Sequence, residues 1–257
     1  MGSRVCSNQT PRATTKTTLS PGPIAQYSTR VIEPNTHIRK VDTVTSAPDV
    51  RDNISALDMP GLTAYASLYK ISKPKKGETI FISSAASAVG QIVGQIVKHE
   101  GLKVIGFVGS DDKLNLILKM LSFDGGFNYK KEKSSEALMR LVPDGIDIYY
   151  ENVGGEQLEA ALANMNSFGR IVASGMISQY SLPPEKQYGV KNLTSIVGKR
   201  LTMRGFIVSD SDMGPKWSEE HQKNLTQWLR DRKFTAFDER DGGDGKGTTG
   251  IRGNAEW

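Results

Sequence analysis

Between residues 62 and 232 short β-branched runs alternate with amphipathic stretches, and this alternation constrains the fold more than any other feature. A helix-like stretch over 62–69 ends at the Lys-Pro-Lys-Lys-Gly turn of 73–77. Residues 79–83 (TIFIS) read as a strand. In 89–100, Val89, Ile92, Val93, Ile96 and Val97 recur at the spacing of one helix face. A second strand is expected at 103–108 (KVIGFV), with Ser110 or Asp111 placed to cap a helix over 113–121. A helix near 135–141 and a strand at 146–150 (IDIYY) follow. The helix expected at 156–165 carries Leu158, Ala161, Leu162 and Met165 on one face. Strands at 170–174 (RIVAS) and 201–206 come next, then a closing helix over 218–232. That helix has Glu219 and Glu220 in its expected first turn, where the helix dipole favours acids. Repeated strand–helix–strand order implies parallel βαβ units with right-handed crossovers, an α/β doubly wound sheet. Ligands of such sheets bind beyond the carboxyl ends of the strands, so the residues after each strand carry the functional reading.

A chain of 257 residues suits one large domain or two smaller ones. Its net charge of +5 comes from 33 basic and 28 acidic residues that are interspersed, which argues against nucleic acid as a partner. No apolar run approaches the roughly 18 residues of a membrane span. Cys6 stands alone, which excludes an intramolecular disulfide and a thiolate-rich zinc site. With His37, His99 and His221 as its imidazoles, the chain offers no ligand spacing for a catalytic metal either. These features suit a soluble, cytoplasmic protein. Residues 1–25 are rich in Ser, Thr, Pro and basic side chains, have no acidic ones, and are expected to be a disordered arm. The glycine-rich 238–257 segment is expected to be a tail outside the fold.

After the first strand comes Ser84-Ala85-Ala86-Ser87-Ala88-Val89-Gly90, at the position of a dinucleotide fingerprint. Small residues there permit a tight turn, and the following helix offers N–H groups to phosphate oxygens. Ala85 and Ser87 stand where glycines are usual, and Gly90 remains. Taken alone, this is equally a packed strand–helix turn. A ribose-binding acid is expected about 20 residues further on in an NAD protein, but that count reaches Phe107, and no acid tips the second strand. Asp111 and Asp112 come later and suit a helix start, while Lys113 is placed to meet a 2′-phosphate or to remain a solvated surface lysine. Asn152, followed by Gly154-Gly155, is either a cofactor contact or a plain turn. Tyr180, in Gly175-Met176-Ile177-Ser178-Gln179-Tyr180, is a proton donor or an amphipathic surface residue.

Seven stretches resemble one family in their order and spacing: 59–71 (MPGLTAYASLYKI), 73–95 (KPKKGETIFISSAASAVGQIVGQ), 109–113 (GSDDK), 127–130 (FNYK), 143–156 (PDGIDIYYENVGGE), 166–180 (NSFGRIVASGMISQY) and 198–210 (GKRLTMRGFIVSD). The chain is similar to the zinc-independent medium-chain reductases that reduce α,β-unsaturated aldehydes and ketones with NADPH, such as alkenal double-bond reductases and prostaglandin reductases. The resemblance implies a Rossmann domain over 59–237, NADP(H) as cofactor, a small unsaturated carbonyl substrate and a possible homodimer. It implies that Ser87, Ala88, Val89 and Gly90 cover the pyrophosphate and that Lys113 and Tyr129 hold the 2′-phosphate. Asn152 would contact ribose. Ser174, Gly175, Met176, Ile177, Ser178, Gln179 and Tyr180, with Phe206, Ile207 and Val208, would surround the nicotinamide. Tyr180 would be the catalytic residue near the substrate carbonyl.

The chain departs from the family's pattern at both ends. Residues 26–58 are expected to be only a remnant of the N-terminal GroES-like β-domain, and the tail has no family counterpart. Two other functions fit the same residues: a quinone or enone reductase of the same superfamily, and a non-catalytic NADP(H)-binding remnant.

Overall fold

A computed structural model of the protein describes Asp52 and residues 55–235. The expected arm at 1–25, nearly all of the 26–58 segment and the tail at 238–257 lie outside the described residues. The described chain enters at Ala56 and Leu57, both buried in the core, although the sequence reading assigned them to the preceding segment.

Helix α1 (Met59–Ser67) continues into a π-helical turn at Leu68–Ser72 and stops at Lys73, whose φ of 47° closes it in the left-handed region. Strand β1 (Thr79–Ile82), helix α2 (Ala88–His99) and strand β2 (Lys103–Val108) follow almost where the periodicity put them. Helix α3 (Asp111–Asn115) begins at a Ser110 cap and also widens into a π turn, Leu116–Met120. Strand β3 (Gly125–Asn128) leads to α4 (Ser134–Leu141), β4 (Ile146–Glu151) and α5 (Gly155–Asn164). Strand β5 (Met165–Ala173), the short helices α6 (Ile177–Tyr180) and α7 (Thr194–Gly198), strand β6 (Thr202–Gly205) and helix α8 (Gly214–Arg230) complete the described chain.

The described residues form a six-stranded sheet in the order β3-β2-β1-β4-β5-β6, and every pairing is parallel. Both faces are covered, so successive strand residues enter different cores. Ile80, Ile82, Val104, Ile148, Tyr150 and Val172 belong to one core, with Ala64, Leu68, Ile92, Ile96, Leu225 and Leu229 from α1, α2 and α8 or their edges. Phe81, Ile105, Phe107, Phe127, Tyr149 and Ile171 belong to the other, with Leu138 of α4 and Leu158 and Leu162 of α5. This two-sided burial is why the strands read as continuous apolar runs.

Three expectations are corrected. Strand β3 was not anticipated, because Gly125-Gly126 reads as a turn. Strand β5 begins at Met165, with a register irregularity opposite Ile146–Ile148, rather than at Arg170. Helix α8 starts at Gly214 with Pro215 in its first turn, a position that Pro favours. Glu219 and Glu220 therefore lie beyond the first turn, and Glu220 instead accepts the Tyr65 hydroxyl at 2.8 Å. The same helix holds the entry segment: His221 Nε2 lies 2.8 Å from the Ala56 carbonyl, and the Gln222 amide donates to Leu57.

Helix α2 passes closely over the buried Phe123 ring at Gly94, where an added Cβ would overlap it. Gly94→Ala should therefore destabilise the protein by about 1–3 kcal/mol, the usual range for overpacking, despite the gain of about 1 kcal/mol that alanine brings in an open helix. Gly189→Ala, which meets open space, should change stability by less than about 0.5 kcal/mol. Urea unfolding of both variants checks the pair; equal midpoints would contradict it.

Candidate functional site

The chain leaves β1 toward β2 and β3, then returns on the other side through β4, β5 and β6, so the sheet's switch point lies between the carboxyl ends of β1 and β4. Ser83 joins those ends. Its N–H donates to the Tyr150 carbonyl at 3.1 Å, and its hydroxyl accepts the Asn152 N–H at 2.6 Å. The same hydroxyl lies 3.1 Å from the Tyr150 carbonyl and 3.2 Å from Glu151 Oε1. The Asn152 side chain donates back to the Ser83 carbonyl at 2.8 Å.

From Ser83 the chain turns sharply into α2, with Ser84 at a φ of 50°. Gly90 is required there: an added Cβ would fall against the Ser84 carbonyl oxygen. Ser87 caps the helix by accepting the Gly90 N–H at 3.1 Å. The N–H groups of Ala88 and Val89, in the first turn, have no intrahelical acceptor and suit an anion. The imperfect fingerprint therefore builds the turn its position implied, with a capping hydroxyl at Ser87.

A second loop follows β4. Gly154 and Gly155 have φ of 76° and 62°, conformations that favour glycine. The segment after β5 locks onto this loop. Ser174 and Gly175 donate their N–H groups to the Glu151 carbonyl at 2.9 and 3.0 Å. Ile177 N–H donates to the Asn152 carbonyl, and both the N–H and the hydroxyl of Ser178 donate to that of Val153. Gln179 donates to the Ser178 hydroxyl at 2.7 Å. Tyr180 is 69% exposed and accepts the Met176 N–H at 2.8 Å, which leaves its own hydroxyl hydrogen to be donated elsewhere. A Cβ on Gly175 would lie 3.2 Å from the Tyr180 oxygen and 3.3 Å from the Asn152 carbonyl oxygen, so 152–155 and 174–180 form one surface. Beneath it, Glu151 is fully buried; burial raises its carboxyl above the usual range, while the N–H groups of Gly154 and Val153 pull it down.

The tips of β2 and β3 make another pole. Ser110 accepts the Lys113 N–H, which sets Lys113 in the first turn of α3. Tyr129 follows β3, donates its N–H to the Val108 carbonyl at 3.1 Å and packs edge-on against Phe107. A Cβ on Gly109 would touch the Tyr129 ring at 3.2 Å. Burial raises the Tyr129 phenol above its ordinary value. Asp111 is held by the Lys131 ammonium and by the Asn128 amide, contacts that keep its carboxyl below the usual range.

The register pairs Ala173 with Gly205, so Ser174 and Phe206 leave adjacent strand ends. Phe206 packs on the α1/α2/α8 core, Ile207 is 63% exposed, and Val208 accepts the Gly214 N–H at 2.8 Å. Val208 also lines a cleft of about 560 Å³ with Leu57, Met59, Leu62 and Pro215. Sequence reading missed Ser83 and Glu151. The available signal was a polar residue directly following the apolar 80–82 run and the 148–150 run.

Among the described residues no three His, Cys, Asp or Glu side chains converge as metal ligands, and no helix is long and apolar enough to cross a membrane. A family model described as zinc-binding dehydrogenase matches residues 88–225. The NADP-dependent oxidoreductase RED1 of Cochliobolus heterostrophus is 64% identical over 178 residues, covering 69% of this chain and 51% of that protein. The NADP(+)-dependent 2-alkenal reductase of Nicotiana tabacum is 52% identical over 165 residues, covering 63% of this chain and 48% of that protein. Among solved structures, CurA from Vibrio vulnificus in complex with NADPH is 36% identical with a TM-score of 0.65, covering 72% of this chain and 55% of that one. The chain thus spans about half the length of the curated relatives it matches.

Ser87→Ala should cost about 0.5–2 kcal/mol of stability through loss of the cap, and Ser87→Gly only a few tenths. Urea midpoints of the two variants check this. An alanine variant as stable as the unaltered chain would show that the hydroxyl contributes no capping energy.

Proposed function

As the chain belongs to the zinc-binding dehydrogenase family, we propose that it binds NADP(H) at the switch point and that its activity is reduction of the carbon–carbon double bond of α,β-unsaturated aldehydes or ketones. The observation that carries this reading is the tight turn at 83–90, closed by Gly90 packed against the Ser84 carbonyl, which leaves the Ala88 and Val89 N–H groups at the head of α2 for a pyrophosphate. Relatives named for NADP dependence and for 2-alkenal reduction support it.

In this reading the N–H groups of Ala88 and Val89 meet the pyrophosphate at the positive end of α2. Lys113 and Tyr129 hold the 2′-phosphate. Lys131 and Asn128 support that role by engaging Asp111, the acid nearest the β2 tip. Asn152 presents its side-chain oxygen to the ribose while its amide stays bonded to Ser83. When bound, the nicotinamide supplies a hydride for the electron-poor β-carbon. Residues 174–180 and 206–208 line that end. Tyr180 stabilises the developing enolate oxygen by donating its hydroxyl hydrogen, the role of a positioned general acid.

NADPH should bind at least about tenfold more tightly than NADH, equivalent to about 1.4 kcal/mol, and Lys113→Ala should remove most of that preference. Fluorescence titration with both cofactors tests this; equal affinities for the unaltered chain would sink the assignment of the β2 tip. Absorbance of NADPH should fall when a short 2-alkenal is added and stay constant with the saturated aldehyde. A chelator should leave that rate unchanged, because the single cysteine and three histidines of the sequence lack metal-ligand spacing. NADPH binding without consumption of any enal or enone would replace the enzyme reading with one of binding alone.

A further inference from the structure

Glu151 has no part in the reading above, yet it is the fully buried carboxyl of the switch point. Oxygen Oε1 accepts the Val153 N–H at 2.5 Å and the Gly154 N–H at 2.9 Å, and lies 3.2 Å from the Ser83 hydroxyl. Those three groups belong to the two loops that meet at the switch point. The main chain of the same residue takes part as well, since its carbonyl accepts the N–H groups of Ser174 and Gly175. Glu151 thus touches the segments that follow three neighbouring strands, β1 at Ser83, β4 at Val153 and Gly154, and β5 at Ser174 and Gly175. Its other oxygen, Oε2, is buried with no hydrogen-bond partner among the described residues, as is the hydroxyl of the adjacent Tyr149.

Burying a carboxyl with one oxygen unpaired is costly. A glutamate needed only for packing could be replaced by an apolar side chain without that cost. Oxygen Oε1 does something an apolar group cannot. Gly154 and Gly155 both hold positive φ, and the N–H groups of Val153 and Gly154 turn inward beneath the loop, where each needs an acceptor. One oxygen serves both. With those two bonds in place, Asn152 keeps its backbone N–H and side-chain amide on Ser83 and its carbonyl on the Ile177 N–H.

We propose that Glu151 is a positioning residue for cofactor binding, its Oε1 clamping the Asn152–Gly155 loop from below in the shape that receives the ribose. This rests on reading 152–155 as a cofactor-contacting loop. The clamp works through an acceptor oxygen rather than through charge. Burial favours the neutral carboxyl, and glutamine carries an oxygen in the same place, with its amide beside the Tyr149 hydroxyl oxygen. Aspartate at this position is not an equivalent, because a shorter side chain withdraws the oxygen from both N–H groups.

The test uses the 257-residue chain, with two readouts on Glu151→Ala, Glu151→Gln and Glu151→Asp: NADPH affinity by fluorescence titration, and hydrogen exchange at the Val153 and Gly154 amides without ligand. Glu151→Ala and Glu151→Asp should weaken NADPH binding about tenfold or more and speed exchange at both amides at least about tenfold. Glu151→Gln should stay within about threefold of the unaltered chain on both. If Glu151→Ala fails to fold, the aspartate and glutamine variants decide alone. Unchanged amide exchange in Glu151→Asp, or NADPH binding as tight as in the unaltered chain, would overturn the clamp. So would a glutamine variant as impaired as the aspartate one. Failure of the unaltered chain to bind NADPH would overturn the cofactor reading instead, and the exchange comparison would still decide whether Glu151 holds the loop.

Discussion

Three glycines, Gly90 and Gly94 on α2 and Gly106 on β2, let α2 and the turn before it pack closely. A Cβ on Gly90 would meet the Ser84 carbonyl, one on Gly94 the Phe123 ring, and one on Gly106 the Ala85 methyl, all closer than 3.0 Å. Because the helix sits this low, the chain has only a tight turn in which to travel from β1 to α2, and Ser84 takes a positive φ to make it. That turn keeps Ser83 at the strand end, within reach of Tyr150, Glu151 and Asn152. The hydrogen bonds of the switch point are therefore downstream of a packing constraint. A helix held even slightly higher would leave the Ser83 hydroxyl without its partners and the two loops without a common anchor.

Much of this was legible in the chain. Strand β2 falls where its β-branched run ends, and α2 follows the spacing of Ile92, Val93, Ile96 and Val97. Other features left no such trace. Strand β3 begins with Gly125-Gly126, residues that disfavour strands, yet side chains of Ile105, Leu141, Ile117 and Leu114 already fill the space their own would take. The π turns at 68–72 and 116–120 conserve the apolar pattern while adding a residue to the turn, so a period of 3.6 cannot reveal them. Glu219 and Glu220 looked like dipole partners because the helix was expected to start at Ser218. Gly214-Pro215 begins it earlier, and Glu220 bonds Tyr65 on α1.

For the site, the post-strand rule located the segments, and glycines marked where backbone must turn or be approached. Hidden from it was the layer underneath. Ser83 and Glu151 matter through hydrogen bonds between strands far apart in sequence, and no local spacing encodes those partners. The two poles of the site are also joined by a core feature. Tyr149, Phe81, Phe107 and Phe127 stack across β4, β1, β2 and β3 with centroids 5.2 to 5.8 Å apart between successive rings, and Phe107 carries Tyr129 at its edge. Aromatic rings with few rotamers make a stiff layer, so the distance between the Asn152 loop and the Tyr129 tip is set by the core rather than by the loops.

Strand β1 is central, so its neighbours reach it at different times during synthesis. Strand β2 emerges next and can pair with it at once, and β3 then adds to β2. The contacts from Ser83 to Glu151 and Asn152 span 68 and 69 residues, several seconds of elongation at about 5–20 residues per second. Helix α8 arrives later still, closing onto Ala56 across 165 residues. A nascent chain therefore carries a half-built sheet whose β1 flank is an open row of N–H and C=O groups, the kind of edge on which chains aggregate. Protection of that flank on the ribosome, by speed of translation or by a chaperone, becomes part of what it takes to make this protein.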